Sequence, residues 1–281
     1  MNSEKIGAYA SLSRPVNVAI TFVSIPLASV LSGGGPQEWL PMLLGAVSGA
    51  LVAAGANAIN DAFDVEIDRI NRPDRAIPCG ALTVAQARGF WTVVSAAAVL
   101  LSAFINALSC GIVVGAIVLL YLYSARLKGT PLTGNLVVGF MTGMAFVFGG
   151  GVVGNAAWGV MPGVFALLAN VSREVMKDVE DMVGDRQKGA RTLPVRFGVR
   201  AALGTASAAI VLLIGSTVVA AAHHIYTALF LYIVLPVDGA LLWVVTSLWR
   251  DHSPSALGRY SRVLKYCMVG GIAAIAAGSL G

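Results

Sequence analysis

Apolar runs of about 20 residues recur from one end of this chain to the other, each long enough for a helix crossing roughly 30 Å of hydrocarbon. Backbone N–H and C=O groups find no water inside a bilayer, so such runs satisfy themselves as helices. Charged side chains make up 12% of the 281 residues and hydrophobic ones 57%. A soluble domain carries roughly 25% charge, so a water-soluble enzyme is excluded. A chain this apolar collapses, which excludes disorder. Cys79, Cys110 and Cys267 lack CxxC spacing, so neither a metal knuckle nor a disulfide framework is expected.

Nine spans are predicted, at 15–33, 40–60, 85–105, 109–125, 135–153, 159–179, 199–222, 225–248 and 261–280. The first has no small-residue cleavage site leading into a soluble domain, so it is expected to stay as a span. The N-terminal arm and the loops after the second, fourth, sixth and eighth spans, with the helix ends beside them, hold all 19 Lys and Arg residues. The other four loops hold none. This is the positive-inside pattern, and it predicts a multi-pass cell-membrane protein whose charged face and chemistry are cytoplasmic. The same distribution accounts for the net charge of +5 without a nucleic-acid partner.

Most of the acidic residues lie in two windows on that face. The first reads NDxxDxxxD at the end of the second span. A continuing helix there puts Asn60, Asp64 and Asp68 on one stripe at i, i+4 and i+8, with Glu66 turned away. The second, REVMKDVEDMVGD, closes the sixth span with Glu174, Asp178, Asp181 and Asp185 at i, i+4, i+7 and i+11 and Glu180 off the stripe. Each window is followed by a similar phrase, Arg75 to Pro78 (RAIP) and Arg191 to Pro194 (RTLP), which suggests two related halves, roughly 1–130 and 131–281, within one domain. Like charges aligned at i, i+4 repel, so cations are expected between such edges. Hard oxygen donors suit Mg²⁺, which keeps waters and bridges to phosphate oxygens. Arg72, Arg75, Lys128, Lys177, Arg186, Lys188 and Arg191 are placed to take the remaining phosphate charge. Together these features describe a diphosphate clamp. No Walker-type loop is present.

The first window with NRPDRAIPCG after it, the second ending DRQKGARTLPVRFG, RPVN at Arg14–Asn17 and YSARLKG at Tyr123–Gly129 resemble the UbiA superfamily of intramembrane prenyltransferases. The resemblance covers nearly the whole chain. It implies an all-helical bundle around a central cavity, two Mg²⁺ ions between the acidic motifs, and transfer of an isoprenoid from its diphosphate to a lipid-soluble acceptor. SREVMKDVEDMVGDRQKGARTLP is most similar to the branch that adds a second geranylgeranyl chain to geranylgeranylglyceryl phosphate in archaeal-type diether lipids. Aromatic-acceptor members of quinone, tocopherol or chlorophyll synthesis are the alternative. A transporter is the alternative of another class; it needs polar groups open to both faces, whereas here nearly all charge lies on one.

The resemblance implies a metal set of Asn60, Asp64, Asp68, Asp178, Asp181 and Asp185, with Asp61 and Glu174 beside it. Asn17, Asn57, Arg72 and Arg75 are expected to contact substrate. So are Lys177, Lys188 and Arg191. Tyr123, Arg126 and Lys128, at the mouth of the fourth span, read either as contacts to the diphosphate or as an interfacial anchor. Asp238, near the middle of the eighth span, is a functional acid or one bonded to a neighbouring helix. Phe140, Met141, Met144, Phe146 and Phe148 are candidates to line a tail pocket.

Overall fold

The computed structural model describes residues 3–187 and 189–279. Every regular element among them is helical. In chain order these are α1 (Ser3–Ser13), α2 (Pro15–Leu31), α3 (Trp39–Phe63), α4 (Val65–Asn71), α5 (Val84–Ala103), α6 (Ala107–Leu122), α7 (Thr133–Val152), α8 (Val160–Glu180), α9 (Met182–Gln187), α10 (Leu193–Phe197), α11 (Val199–Ala222), α12 (Ala228–Arg250) and α13 (Pro254–Gly278). Each of the nine predicted windows contains a long helix.

Among the described residues six helices are long and apolar enough to cross a membrane: α3, α5, α6, α7, α11 and α12. The pair α1 and α2, bent by 55° between Ser13 and Pro15, meets the same measure when taken together and counts as a seventh span if read as one. Helices α8 and α13 fall outside that measure because each carries charge at one end: Arg173, Glu174, Lys177, Asp178 and Glu180 in α8, and Arg259, Arg262 and Lys265 in α13. Large apolar side chains such as Val16, Val93, Leu212 and Val269 are exposed, as lipid-facing helix surfaces require.

Local sequence explains the helix ends. Thr83 and Gln86 form a reciprocal capping box that starts α5, and Asn106 accepts the Ser109 amide at the start of α6. Pro stands in the first turn of α2, α10 and α13, where no intrahelical N–H partner is needed. Beyond α6 the chain widens into a π turn over Tyr123–Leu127.

The chain divides into two compact units. One comprises the chain up to Leu127 with Ala145–Gly159; the other comprises Lys128–Met144 and the chain from Val160 onward. In the first unit α2, α3, α5 and α6 pack through small residues. A Cβ on Gly149 would stand 2.5 Å from the Ala28 Cβ, so only glycine permits that approach, and the Ser29 hydroxyl donates to the Gly149 carbonyl at 2.8 Å. Phe148 packs there with Ile25, Met42, Ala98, Val113 and Val152. That makes it core rather than an open tail-pocket wall. In the second unit a Cβ on Gly143 would meet the Gly163 carbonyl at 2.5 Å, so α7 and α8 cross at backbone distance.

Candidate active site: two acidic helix edges

In the first unit the helical register runs on past the end of α3. The Asp64 amide bonds to the Asn60 carbonyl at 3.0 Å, the Asp68 amide to Asp64 at 2.8 Å and the Arg72 amide to Asp68 at 2.8 Å. Although α3 gives way to α4 at Asp64, this i to i−4 ladder keeps Asn60, Asp64 and Asp68 on one edge. All three aspartates of the window, Asp61, Asp64 and Asp68, are buried. The Asn60 side-chain amide donates to Asp64 at 3.0 Å. Glu66, off the stripe, is 77% exposed and pairs with Arg69, whereas the Asp68 side chain is 7% exposed.

Two arginines hold the buried acids. Arg14 reaches Asp61 at 2.6 Å, and Arg75 bridges Asp61, at 3.0 Å, and Asp68. Arg14 sits between α1 and α2 with φ 55° and ψ 75°, a left-handed conformation that costs a non-glycine residue about 1 kcal/mol. Its pairing with Asp61 offsets that strain, and the bend it makes aims the guanidinium at α3. Asn57, expected at substrate, donates to the Ser13 carbonyl at 2.8 Å and so braces the same bend. Arg72 is exposed, and Asn17 is exposed within the first turn of α2. Tyr123 and Arg126 lie in the π turn, a helix form that recurs at functional sites.

The second unit builds its edge differently. The Asp181 amide bonds to Lys177 at 2.8 Å and the Asp185 amide to Asp181 at 3.0 Å, which carries the register of α8 into α9. Asp178 accepts from the buried Asn135 of α7 at 2.8 Å. Glu174 pairs with Arg173 at 2.7 Å and with Lys177 at 3.4 Å. Asp185 accepts from the Thr192 hydroxyl at 3.2 Å, and Asp181 is exposed. The Arg191 amide bonds to the Gly129 carbonyl at 3.0 Å, tying the segment after Lys128 to the RTLP phrase while the Arg191 side chain stays exposed. Lys188 lies outside the described residues.

Arg14, which opens the RPVN phrase, Asn135 and Thr192 hold the acidic edges, a role that the sequence does not assign to them. Thr192 was in view as the second residue of the repeated phrase, and the two phrases turn out to work through different positions: Arg75 grips the first edge, Thr192 the second. Asp238 is buried in α12 and accepts from Thr217 of α11 at 2.7 Å. Its other oxygen has no hydrogen-bond partner among the described residues.

Among the described residues no three His, Cys, Asp or Glu side chains converge on one metal position. The donor set nevertheless suits Mg²⁺, which takes one or two carboxylates and completes its shell with water and substrate phosphate rather than an all-protein cage.

The family model described as the UbiA prenyltransferase family matches residues 18–266. The chain belongs to that family, which makes it an integral membrane enzyme. A relative from Methanopyrus kandleri named digeranylgeranylglyceryl phosphate synthase is 37% identical over 281 residues, covering 97% of this chain and 99% of its own. A solved structure concerned with digeranylgeranylglyceryl phosphate synthase in membranes has a TM-score of 0.90 at 30% identity over 99% of both chains. A UbiA homolog from Archaeoglobus fulgidus, solved with GPP and Mg²⁺, has a TM-score of 0.67 at 20% identity, over 96% of this chain and 99% of that one.

Proposed function

We propose that the chain transfers a geranylgeranyl group from geranylgeranyl diphosphate to geranylgeranylglyceryl phosphate, forming the diether core of an archaeal-type lipid. The observation that carries this reading is the full-length likeness to relatives bearing that enzyme's name, joined to two carboxylate edges in helical register. Two Mg²⁺ ions, when bound, supply the positive charge that an allylic diphosphate needs in order to leave. Asn60, Asp64 and Asp68 would hold the ions from the first edge, with Asp61 kept at their side by Arg14 and Arg75. Asp178, Asp181 and Asp185 would hold them from the second, beside Glu174. Arg72, Arg75, Lys177, Lys188 and Arg191 take diphosphate oxygens, as do Arg126 and Lys128. Tyr123, in the π turn, steers the developing allylic cation. An acceptor panel tests this reading. Purified protein given geranylgeranyl diphosphate and Mg²⁺ is expected to release diphosphate with geranylgeranylglyceryl phosphate and not with 4-hydroxybenzoate, 1,4-dihydroxy-2-naphthoate or homogentisate. Preferential turnover of an aromatic acceptor would reassign the substrate.

The proposed topology is nine crossings of the cell membrane with both acidic edges facing the cytoplasm. It is supported by the helix in each apolar window and by the gathering of basic residues on one face. Cysteines introduced singly as Arg72→Cys, Arg259→Cys and Gln37→Cys, in a background with the exposed Cys79 replaced by serine, report on it. The first two are expected to react with an impermeant thiol reagent from the cytoplasmic side only, and Gln37→Cys from the outside only. Labelling of Arg72→Cys and Gln37→Cys from one face would refute nine crossings.

A further inference from the structure

Helices α5 and α6 are the least buried of the six apolar candidates: 22% and 17% of their apolar windows are covered by protein. Between them, entirely within the first unit, runs a groove of about 530 Å³ lined by Val99, Leu100 and Ala103 of α5 and Val114, Ile117 and Val118 of α6. One end of it is marked by chemistry of a different kind. Trp91, one turn before the groove residue Ser95, lies 5.4 Å from the Tyr121 ring, which joins α5 to α6. Tyr121 also meets Phe63 edge-on at 5.6 Å. Over Phe63, at 5.9 Å, stands the guanidinium of the exposed Arg88. Among the described residues no carboxylate pairs with Arg88.

A cation, then an aromatic collar, then an apolar trough, in that order along one helix face, matches the order of an anionic lipid from headgroup to chain. From Arg88 to Ser95, where the trough begins, is seven residues, about 10 Å at about 1.5 Å per residue, so the cation stands at the interface when the near end of the trough lies within the roughly 15 Å of hydrocarbon of one leaflet. Gly55 of α3 permits the arrangement: a Cβ there would stand 3.0 Å from Val94 and 3.2 Å from the Trp91 ring, so its absence seats this turn of α5 closely. We propose that the α5/α6 groove is a binding site for one anionic lipid of the surrounding leaflet, with a chain in the trough and the phosphate on Arg88.

An interfacial Arg favours an anionic headgroup by about fivefold. The full chain, purified in detergent and supplied with equal phosphatidylglycerol and phosphatidylcholine of the same chains, is therefore expected in native mass spectrometry to retain the first about fivefold over the second. Arg88→Gln should remove that preference while both lipids still bind. Ala96→Trp, which fills the trough from an exposed lining position, should lower retention of both. An unchanged preference in Arg88→Gln, or unchanged retention in Ala96→Trp, would overturn the site. The readout is lipid retention, so it stands apart from which acceptor the acidic edges serve.

Discussion

Replacing any one of Asp64, Asp68, Asp181 or Asp185 with Ala is expected to lower prenyl-transfer turnover by about a thousandfold while the protein still extracts and folds. The expected size follows from the chemistry: departure of diphosphate concentrates negative charge on oxygens that only fixed or bound cations can meet. The control lies within the same windows. Glu66 carries the same charge as Asp68 two residues away, yet its side chain is 77% exposed against 7%. Glu180 is likewise exposed beside the register of Asp178 and Asp181. Screened charge in water is worth little, so Glu66→Gln and Glu180→Gln should stay within a few fold of wild type. Turnover measured on all six variants decides between aligned ligands and mere acidity. A thousandfold loss in either Gln variant would mean the edges are drawn from different residues.

Arg75→Ala should produce the second large effect, on stability as well as turnover. The Arg75 side chain, 18% exposed, bridges Asp61 and Asp68, whose side chains are 5% and 7% exposed. Removing one partner of a buried ion pair leaves an uncompensated charge, at a cost of about 3 kcal/mol once the partial exposure of the arginine is allowed for. Thermal unfolding in detergent is therefore expected at a clearly lower midpoint. Adding Asp68→Asn to Arg75→Ala should recover part of that loss, because the stranded charge goes with it. A double variant less stable than Arg75→Ala would show that Arg75 acts by packing and not by charge.

Much of this molecule was legible because a bilayer leaves the backbone few choices. The windows 199–222 and 40–60 were set by apolar length alone, and α11 and α3 fill them to within a few residues. The window 261–280 was placed too late, since α13 starts at Pro254: its opening turns carry Arg259, Arg262 and Lys265, which an apolar-run reading passes over, while Ser253 and Pro254 signal the start. Helix α1, short and with Glu4 and Lys5 in its first turn, lies outside an apolar run for the same reason. The two acidic registers were legible because i, i+4 spacing survives a helix break when the backbone ladder does, as at Asp64. What the spacing did not contain was the set of partners. Arg14 comes to Asp61 from 47 residues away and Asn135 to Asp178 from 43, and pairings at that separation depend on how the helices pack. Asn57 is expected at substrate, and its bond to the Ser13 carbonyl, 44 residues away, is another partner that spacing does not contain.

Prenyl transfer driven by Mg²⁺ at these acidic edges is most directly tested by the rate of diphosphate release by the wild-type protein. The assay contains geranylgeranyl diphosphate and geranylgeranylglyceryl phosphate, first in EDTA and then on titration with Mg²⁺. Release is predicted to be absent in chelator, to return with added Mg²⁺, and to match the formation of digeranylgeranylglyceryl phosphate mole for mole. An undiminished rate in EDTA, or release that proceeds without the acceptor, would contradict it.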